Sequence, residues 1–199
     1  LTAYYLLHES WNLKVGQTVL VHAAAGGVGL LLCQWARHIG ATVIGTAGSD
    51  NKMELAAASG CNFPINYKRE DFVERVQAIT EGKGVDVIYD SIGKDTFIRG
   101  LGCLAERGRM ISFGVSSGAI GSVDIVCLRP LSGSIACGGL RSFTKVSSER
   151  ASNAEKVFSL IANGTLKVQI DQRYPLEDVS REHADIESRK TTGSSVLTI

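Results

Sequence analysis

The strongest constraint on this chain is a repeated change of hydrophobic period. Short apolar runs bounded by glycine or polar turns alternate with stretches whose apolar residues recur at helical spacing. Thr18 to Ala23 (TVLVHA) reads as a buried strand and Val28 to Ile39 as a helix, stopped by Gly40 where a left-handed residue ends helices. Ala41 to Thr46 is a second strand, Asn51 to Ser59 a helix closed by Gly60, and Phe63 to Tyr67 a third strand. Glu70 to Thr80 is a helix with Phe72, Val73, Val76 and Ile79 on one side, and Val85 to Tyr89 and Met110 to Phe113 are strands around a helix at Thr96 to Leu104. Such strand–helix–strand repeats predict an α/β fold, a parallel sheet with helices on both faces. Right-handed crossovers make that sheet doubly wound.

The ends of the chain depart from this rhythm. Leu1 to Leu13 reads as a helix followed by a turn at Lys14 to Gln17. Ser117 to Ser122 is a glycine- and serine-rich loop, Ser134 to Cys137 a sixth strand, and Phe143 to Arg150 a polar, mobile stretch. Ser152 to Asn163 is a helix closed by Gly164. From Gln172 onward come a Tyr-Pro turn, a charged helix and a final apolar strand, which do not continue the alternation. The expected division is therefore a main domain over 1–171 and a tail over 172–199 that belongs to a different layer and is packed atypically or poorly ordered.

Between the first strand and its helix lies His22-Ala23-Ala24-Ala25-Gly26-Gly27-Val28-Gly29. The spacing is AxxGxxG, without a literal GxGxxG, but the physical demand is the same. The turn must be tight, the main chain must approach a pyrophosphate unobstructed, and Gly29 must let helix and strand pack closely. The helix N-terminus adds free N–H groups and a partial positive charge. At this place in a strand–helix–strand series the motif predicts a Rossmann-type dinucleotide site. No GxxxxGK[ST] occurs, and no tyrosine has a lysine four residues on, which excludes P-loop and YxxxK chemistries.

The second strand selects the cofactor. An acid at its end would bind ribose hydroxyls and favour NAD, yet the end is Thr46-Ala47-Gly48-Ser49. Asp50 falls at the start of the next helix, where it complements the dipole, with Asn51 and Glu54 spaced as a capping box. Lys52 faces a 2′-phosphate, Ser49 donates to it, and the Tyr67 hydroxyl reaches the same group, so NADP(H) is expected.

Lys plus Arg is 21 and Asp plus Glu 20, a net charge of +1 that offers no bulk attraction to nucleic acid or an anionic membrane. No apolar run approaches the roughly 18 residues of a membrane span. Five scattered cysteines (Cys33, Cys61, Cys103, Cys127, Cys137) lack CxxC spacing and read as small apolar fillers in a reducing compartment. The four histidines are scattered, His22 reads as structural, and Cys, His, Asp and Glu form no metal-binding pattern.

LTAYYLL, HAAAGGVG with Gln34-Trp35-Ala36, GTAGS, INY, DSIG, ISFG, VFSLIANGTLKV, YPLEDV and SRKTTGSSVLTI, in this order and spanning nearly the whole chain, resemble zinc-free quinone oxidoreductases of the medium-chain dehydrogenase superfamily. The resemblance implies a cytoplasmic, NADPH-dependent enzyme that passes hydride to a quinone or related conjugated carbonyl. It also implies a GroES-like catalytic domain, absent from these residues, on which the tail packs. The chain alone is then expected to bind NADPH weakly and turn over little. By the same resemblance Tyr5 contacts the cofactor, and Ala25, Gly26, Gly27 and Val28 hold the pyrophosphate. Gly48, Ser49, Lys52 and Tyr67 serve the adenosine end, with Arg189 reaching the 2′-phosphate. Ser91, Phe113, Gly114 and Ser116 line strand ends, and Gly138-Gly139 to Ser142 approach the nicotinamide. No catalytic residue and no metal ligand is assigned. The sixth strands of two copies would pair in a homodimer. An enoyl or alkenal reductase of the same superfamily is the alternative within enzymes, and a non-catalytic NADPH-binding module the alternative outside them.

Overall fold

A computed structural model describes residues 1–199. Six parallel strands form the central sheet: β1 (Thr18–Val21), β2 (Thr42–Ala47), β3 (Phe63–Asn66), β4 (Val85–Asp90), β5 (Leu104–Ser112) and β6 (Ser134–Cys137). Their order is β3-β2-β1-β4-β5-β6, so the chain reverses direction across the sheet between β1 and β4. That reversal leaves a crevice at the carboxyl ends of β1 and β4, where a doubly wound sheet takes its ligand.

Alternate strand residues face two separate cores. Val19 and Val21 of β1, Val43 of β2, and Val87 and Tyr89 of β4 join one cluster, while Leu20, Ile44 and Ile88 join the other. On the first face α2 (Gly27–Ile39) contributes Leu32, Cys33, Trp35 and Ala36, and α3 (Asp50–Ala58) contributes Ala56. The second face is covered by α4 (Phe72–Ile79) through Phe72 and Val76, and by α5 (Phe97–Leu101) through Phe97 and Leu101. Burial on both faces is why these strands are continuous apolar runs. Helix ends follow local rules. Gly40 closes α2 at φ 95°, its N–H bonding to Ala36 and Arg37 carbonyls, and the Asp71 carboxylate caps α4 by accepting from Val73 and Glu74 N–H groups.

The ends hold most of the departures from expectation. The opening helix stops at Ser10: α1 (Thr2–Tyr4) runs into a π-helical stretch, Tyr5–Ser10, and Trp11 is extended. Leu6 and Leu7 there are completely buried, so packing on the sheet, not helical propensity, sets the geometry. β1 ends two residues early because Ala23 turns to φ 53°. β5 begins at Leu104 and is longer than its apolar part. The stretch 143–150 is structured: a 3₁₀ turn covers Leu140–Thr144, and α6 (Ser147–Ala162) starts five residues before the expected boundary. Cys127 and Cys137 are exposed, so only Cys33, Cys61 and Cys103 act as core fillers.

The tail is itself a strand–helix–strand unit. β7 (Ile170–Pro175) and β8 (Ser194–Thr198) pair in parallel as a second sheet, with α7 (Val179–Glu187) between them, so Tyr174-Pro175 ends a strand instead of forming a turn. The unit does continue the alternation, in its own sheet. It meets the main domain at the glycine turn through a bridge between Gly26 and Gly193.

Candidate functional site

The glycine turn is pinned at the sheet's carboxyl edge. His22 N–H donates to the Tyr89 carbonyl (3.1 Å) and Ala24 N–H to the Thr46 carbonyl (3.0 Å), which ties the turn to β4 and β2. A Cβ built on Gly29 would lie 2.2 Å from the Ala23 carbonyl oxygen, so only glycine permits this approach of helix to strand. Ala23, at the first position of AxxGxxG, takes the left-handed conformation that a glycine would adopt more easily. The cap of α2 is Gly26, with no side-chain partner, and the N–H groups of Val28 and Gly29 donate to no acceptor in the chain. Those amides and the helix dipole form a cradle that an anion fits. Ala25 is 3% exposed and its carbonyl accepts from Gly193 N–H at 2.9 Å. A Cβ on Gly27 would meet Ser194 Oγ at 2.6 Å, so the tail lies directly against the turn.

At the end of β2 lie the residues expected to serve the adenosine end. A Cβ on Gly48 would sit 2.5 Å from the Tyr67 hydroxyl, which therefore overhangs the strand end. Lys52 Nζ donates to the Arg189 carbonyl (2.6 Å), joining α3 to the tail. Burial lowers the Lys52 pKa, and the positive charges of Lys68 and Arg189 lower it further. Ser49 is the cap residue of α3, exposed, with its hydroxyl making no cap bond. The Asn51–Glu54 capping box therefore does not form, because the cap position falls at Ser49, two residues before Asn51. Asp50 is turned away: it accepts from Asn66 Nδ2 (3.0 Å) and pairs with Arg69 (2.9 Å). Its carboxylate is thus engaged by side chains at and just after the end of β3.

The ends of β4 and β5 form the opposite wall. Ser116 N–H donates to the Ser91 carbonyl (3.1 Å), Phe113 N–H donates to the Asp90 carbonyl (2.9 Å), and a Cβ on Gly114 would meet the Ser91 oxygen at 2.8 Å. Ser91, Phe113, Gly114 and Ser116 are thus one packed unit. Its anchor is Asp90, fully buried, whose carboxylate accepts from Ile92 N–H (2.7 Å), Gly93 N–H (3.1 Å) and Thr96 Oγ1. Sequence reasoning passed over Asp90, although a carboxylate closing an apolar strand before Ser-Ile-Gly was a visible signal. Asp95 and Gly193 were also missed, because only folding brings them against Arg189 and the glycine turn.

Tyr5 is 2% exposed, donates its hydroxyl to the Gly138 carbonyl (3.3 Å) and stacks on Phe143 with ring centroids 4.4 Å apart. It holds the glycine pair after β6. His22 is buried with Nδ1 3.0 Å from Thr46 Oγ1 and its ring edge-on to Phe72. Burial pushes its pKa down to about 4, against the opposing pull of Asp90. No three His, Cys, Asp or Glu side chains gather where they could hold a metal. No helix is long and apolar enough to cross a membrane.

A six-stranded parallel sheet of this order, with a bare glycine turn at its switch point and cations at the second strand's end, defines a Rossmann-type dinucleotide-binding domain. Residues 27–150 match the zinc-binding dehydrogenase family, and the chain belongs to it. Quinone oxidoreductase 1 of Escherichia coli is 46% identical over 99% of this chain and 61% of that protein. A 2-haloacrylate reductase from a Burkholderia species is 42% identical over 99% of this chain and 60% of its own length. The crystal structure of Escherichia coli quinone oxidoreductase complexed with NADPH superposes with a TM-score of 0.95 at 45% identity, covering 100% of this chain and 62% of that one. The chain thus spans about 61% of the length of such relatives.

Proposed function

We propose that this chain binds NADPH and serves an enzyme that reduces a quinone or related conjugated carbonyl. The observation that carries the proposal is a pair of features one strand apart: the bare amides of the glycine turn after β1, and the end of β2, where Lys52 Nζ meets the Arg189 carbonyl (2.6 Å) and the Tyr67 hydroxyl overhangs Gly48. Two anion sites at the two ends of one crevice match a pyrophosphate and a 2′-phosphate. NADPH would supply a hydride to the acceptor; the protein's part is to orient the cofactor and keep water away. Gly26, Gly27 and Val28 would cradle the pyrophosphate, Lys52 and Arg189 would neutralise the 2′-phosphate, and Ser91 with Phe113, Gly114 and Ser116 would wall the crevice toward the reacting end. The names of the relatives support a quinone acceptor, and the 2-haloacrylate reductase among them keeps an activated alkene as a second substrate class.

Three further parts belong to the proposal. Residues 172–199 are the surface for a catalytic domain, supported by the exposed Leu176, Ile186, Leu197 and Ile199. The unpaired edge of β6 joins two copies. The five free cysteines favour a reducing, cytoplasmic location.

The test is a titration with NADPH and NADH of the chain and of Lys52→Ala. NADPH is expected to bind more tightly, and Lys52→Ala to weaken it about tenfold while leaving NADH nearly unchanged. Equal affinity for the two cofactors, or selectivity that survives the substitution, would remove the assignment of the adenosine end.

A further inference from the structure

We propose that Asp95 is an internal anion that competes with the bound nucleotide for Arg189, and thereby tunes the preference for a phosphorylated adenosine; this rests on the assignment of the Lys52 end to the 2′-phosphate. Arg189 Nη2 lies 3.5 Å from Asp95 Oδ2, and the two side chains are 53% and 55% exposed. Asp95 sits on the loop after β4, where its N–H donates to Ser117 Oγ (3.0 Å), while Arg189 comes from the tail. The pair therefore spans the crevice mouth. It is the one carboxylate contact of an arginine whose main-chain carbonyl is bound by Lys52.

The main chain at Arg189 supports a role for its side chain. The residue follows α7 with φ 59°, its N–H donating to the Ile186 carbonyl (2.9 Å), at a helix end where glycine or asparagine is favoured. Its carbonyl is held by Lys52, which fixes the backbone and leaves the guanidinium free to exchange partners. A phosphate entering between Lys52 and Arg189 offers a stronger, doubly charged partner than Asp95. Occupancy would release the carboxylate to solvent, and its loss in advance would favour the phosphate.

The experiment measures binding of 2′,5′-ADP and 5′-AMP by calorimetry to the wild-type chain, Asp95→Asn, Arg189→Ala and the double variant, with circular dichroism to confirm that each folds. Asp95→Asn is expected to tighten 2′,5′-ADP about two- to fivefold, the range open to an exposed pair, and to leave 5′-AMP unchanged. In the Arg189→Ala background the gain should vanish. A gain shared by both ligands, one that survives Arg189→Ala, or no gain at all would overturn the inference. If the wild type binds both ligands equally, the assignment of the 2′-phosphate site falls and the inference falls with it. A preference in the wild type that Asp95→Asn does not alter defeats the inference alone.

Discussion

Ala23 and Gly29 show how narrowly single residues set this turn. Ala23 stands in the left-handed region at φ 53°, which strains any residue with a Cβ. Replacing it with glycine relieves that strain but loosens the unfolded chain, so Ala23→Gly is expected to stabilise by about 0.5–1 kcal/mol, read as a higher urea midpoint. Gly29 is the opposite case, since its Cβ would enter the Ala23 carbonyl at 2.2 Å, a backbone atom that cannot rotate away. Gly29→Ala should cost about 3 kcal/mol or more and abolish NADPH binding in the same titration. His22 adds a pH dependence. Its folded pKa of about 4 lies below the ordinary 6.5, so the unfolded chain binds more protons between those values. Stability is then complete above pH 6.5 and falls as pH drops toward 4, by on the order of 3 kcal/mol. His22→Leu should flatten that slope in urea titrations between pH 7 and 5, and an unchanged slope would show that His22 titrates normally.

At the scale of elements, the tail acts as a clasp on the glycine turn and the start of α3. Gly193 N–H bonds to the Ala25 carbonyl, Ser194 Oγ rests on Gly27, and the Arg189 carbonyl binds Lys52. These contacts join the tail to the turn and to α3, but the six-stranded sheet has its own two cores without them. Gly193 has φ 56° and a Cβ there would meet the Gln169 carbonyl at 2.7 Å. Gly193→Val should therefore dislodge the tail, weakening NADPH about tenfold or more, while the unfolding midpoint followed by the buried Trp35 changes little. A large fall in that midpoint would mean that the tail supports the sheet itself.

For the whole molecule, the open edge of β6 makes self-association the main expectation. Ser134 to Cys137 pair with β5 on one side only. Sedimentation velocity at tens of micromolar should show a dimer, and a strict monomer would remove edge pairing from the proposal. Much of this architecture was legible beforehand. β2 to β4 and α2 to α4 fall within about two residues of their expected bounds, because burial on one or both faces imprints a clear period. The region from Phe143 to Arg150 was not legible, since α6 lies mostly at the surface with Asn153 as its one buried residue. The β7–β8 pair was missed for a similar reason, its strands being half-exposed and far apart in sequence.

The sequence by itself determined the doubly wound sheet and the position of its glycine turn. Both follow from local periodicity and from places where a side chain cannot fit. Which charges meet at the sheet's carboxyl edge was decided only by the tertiary structure. Lys52 and Arg189 are 137 residues apart, and Asp95 faces Arg189 across the crevice. Such contacts carry no local pattern: they exist because the tail folds back onto the sheet's carboxyl edge, where chain connectivity and not residue type sets the neighbours.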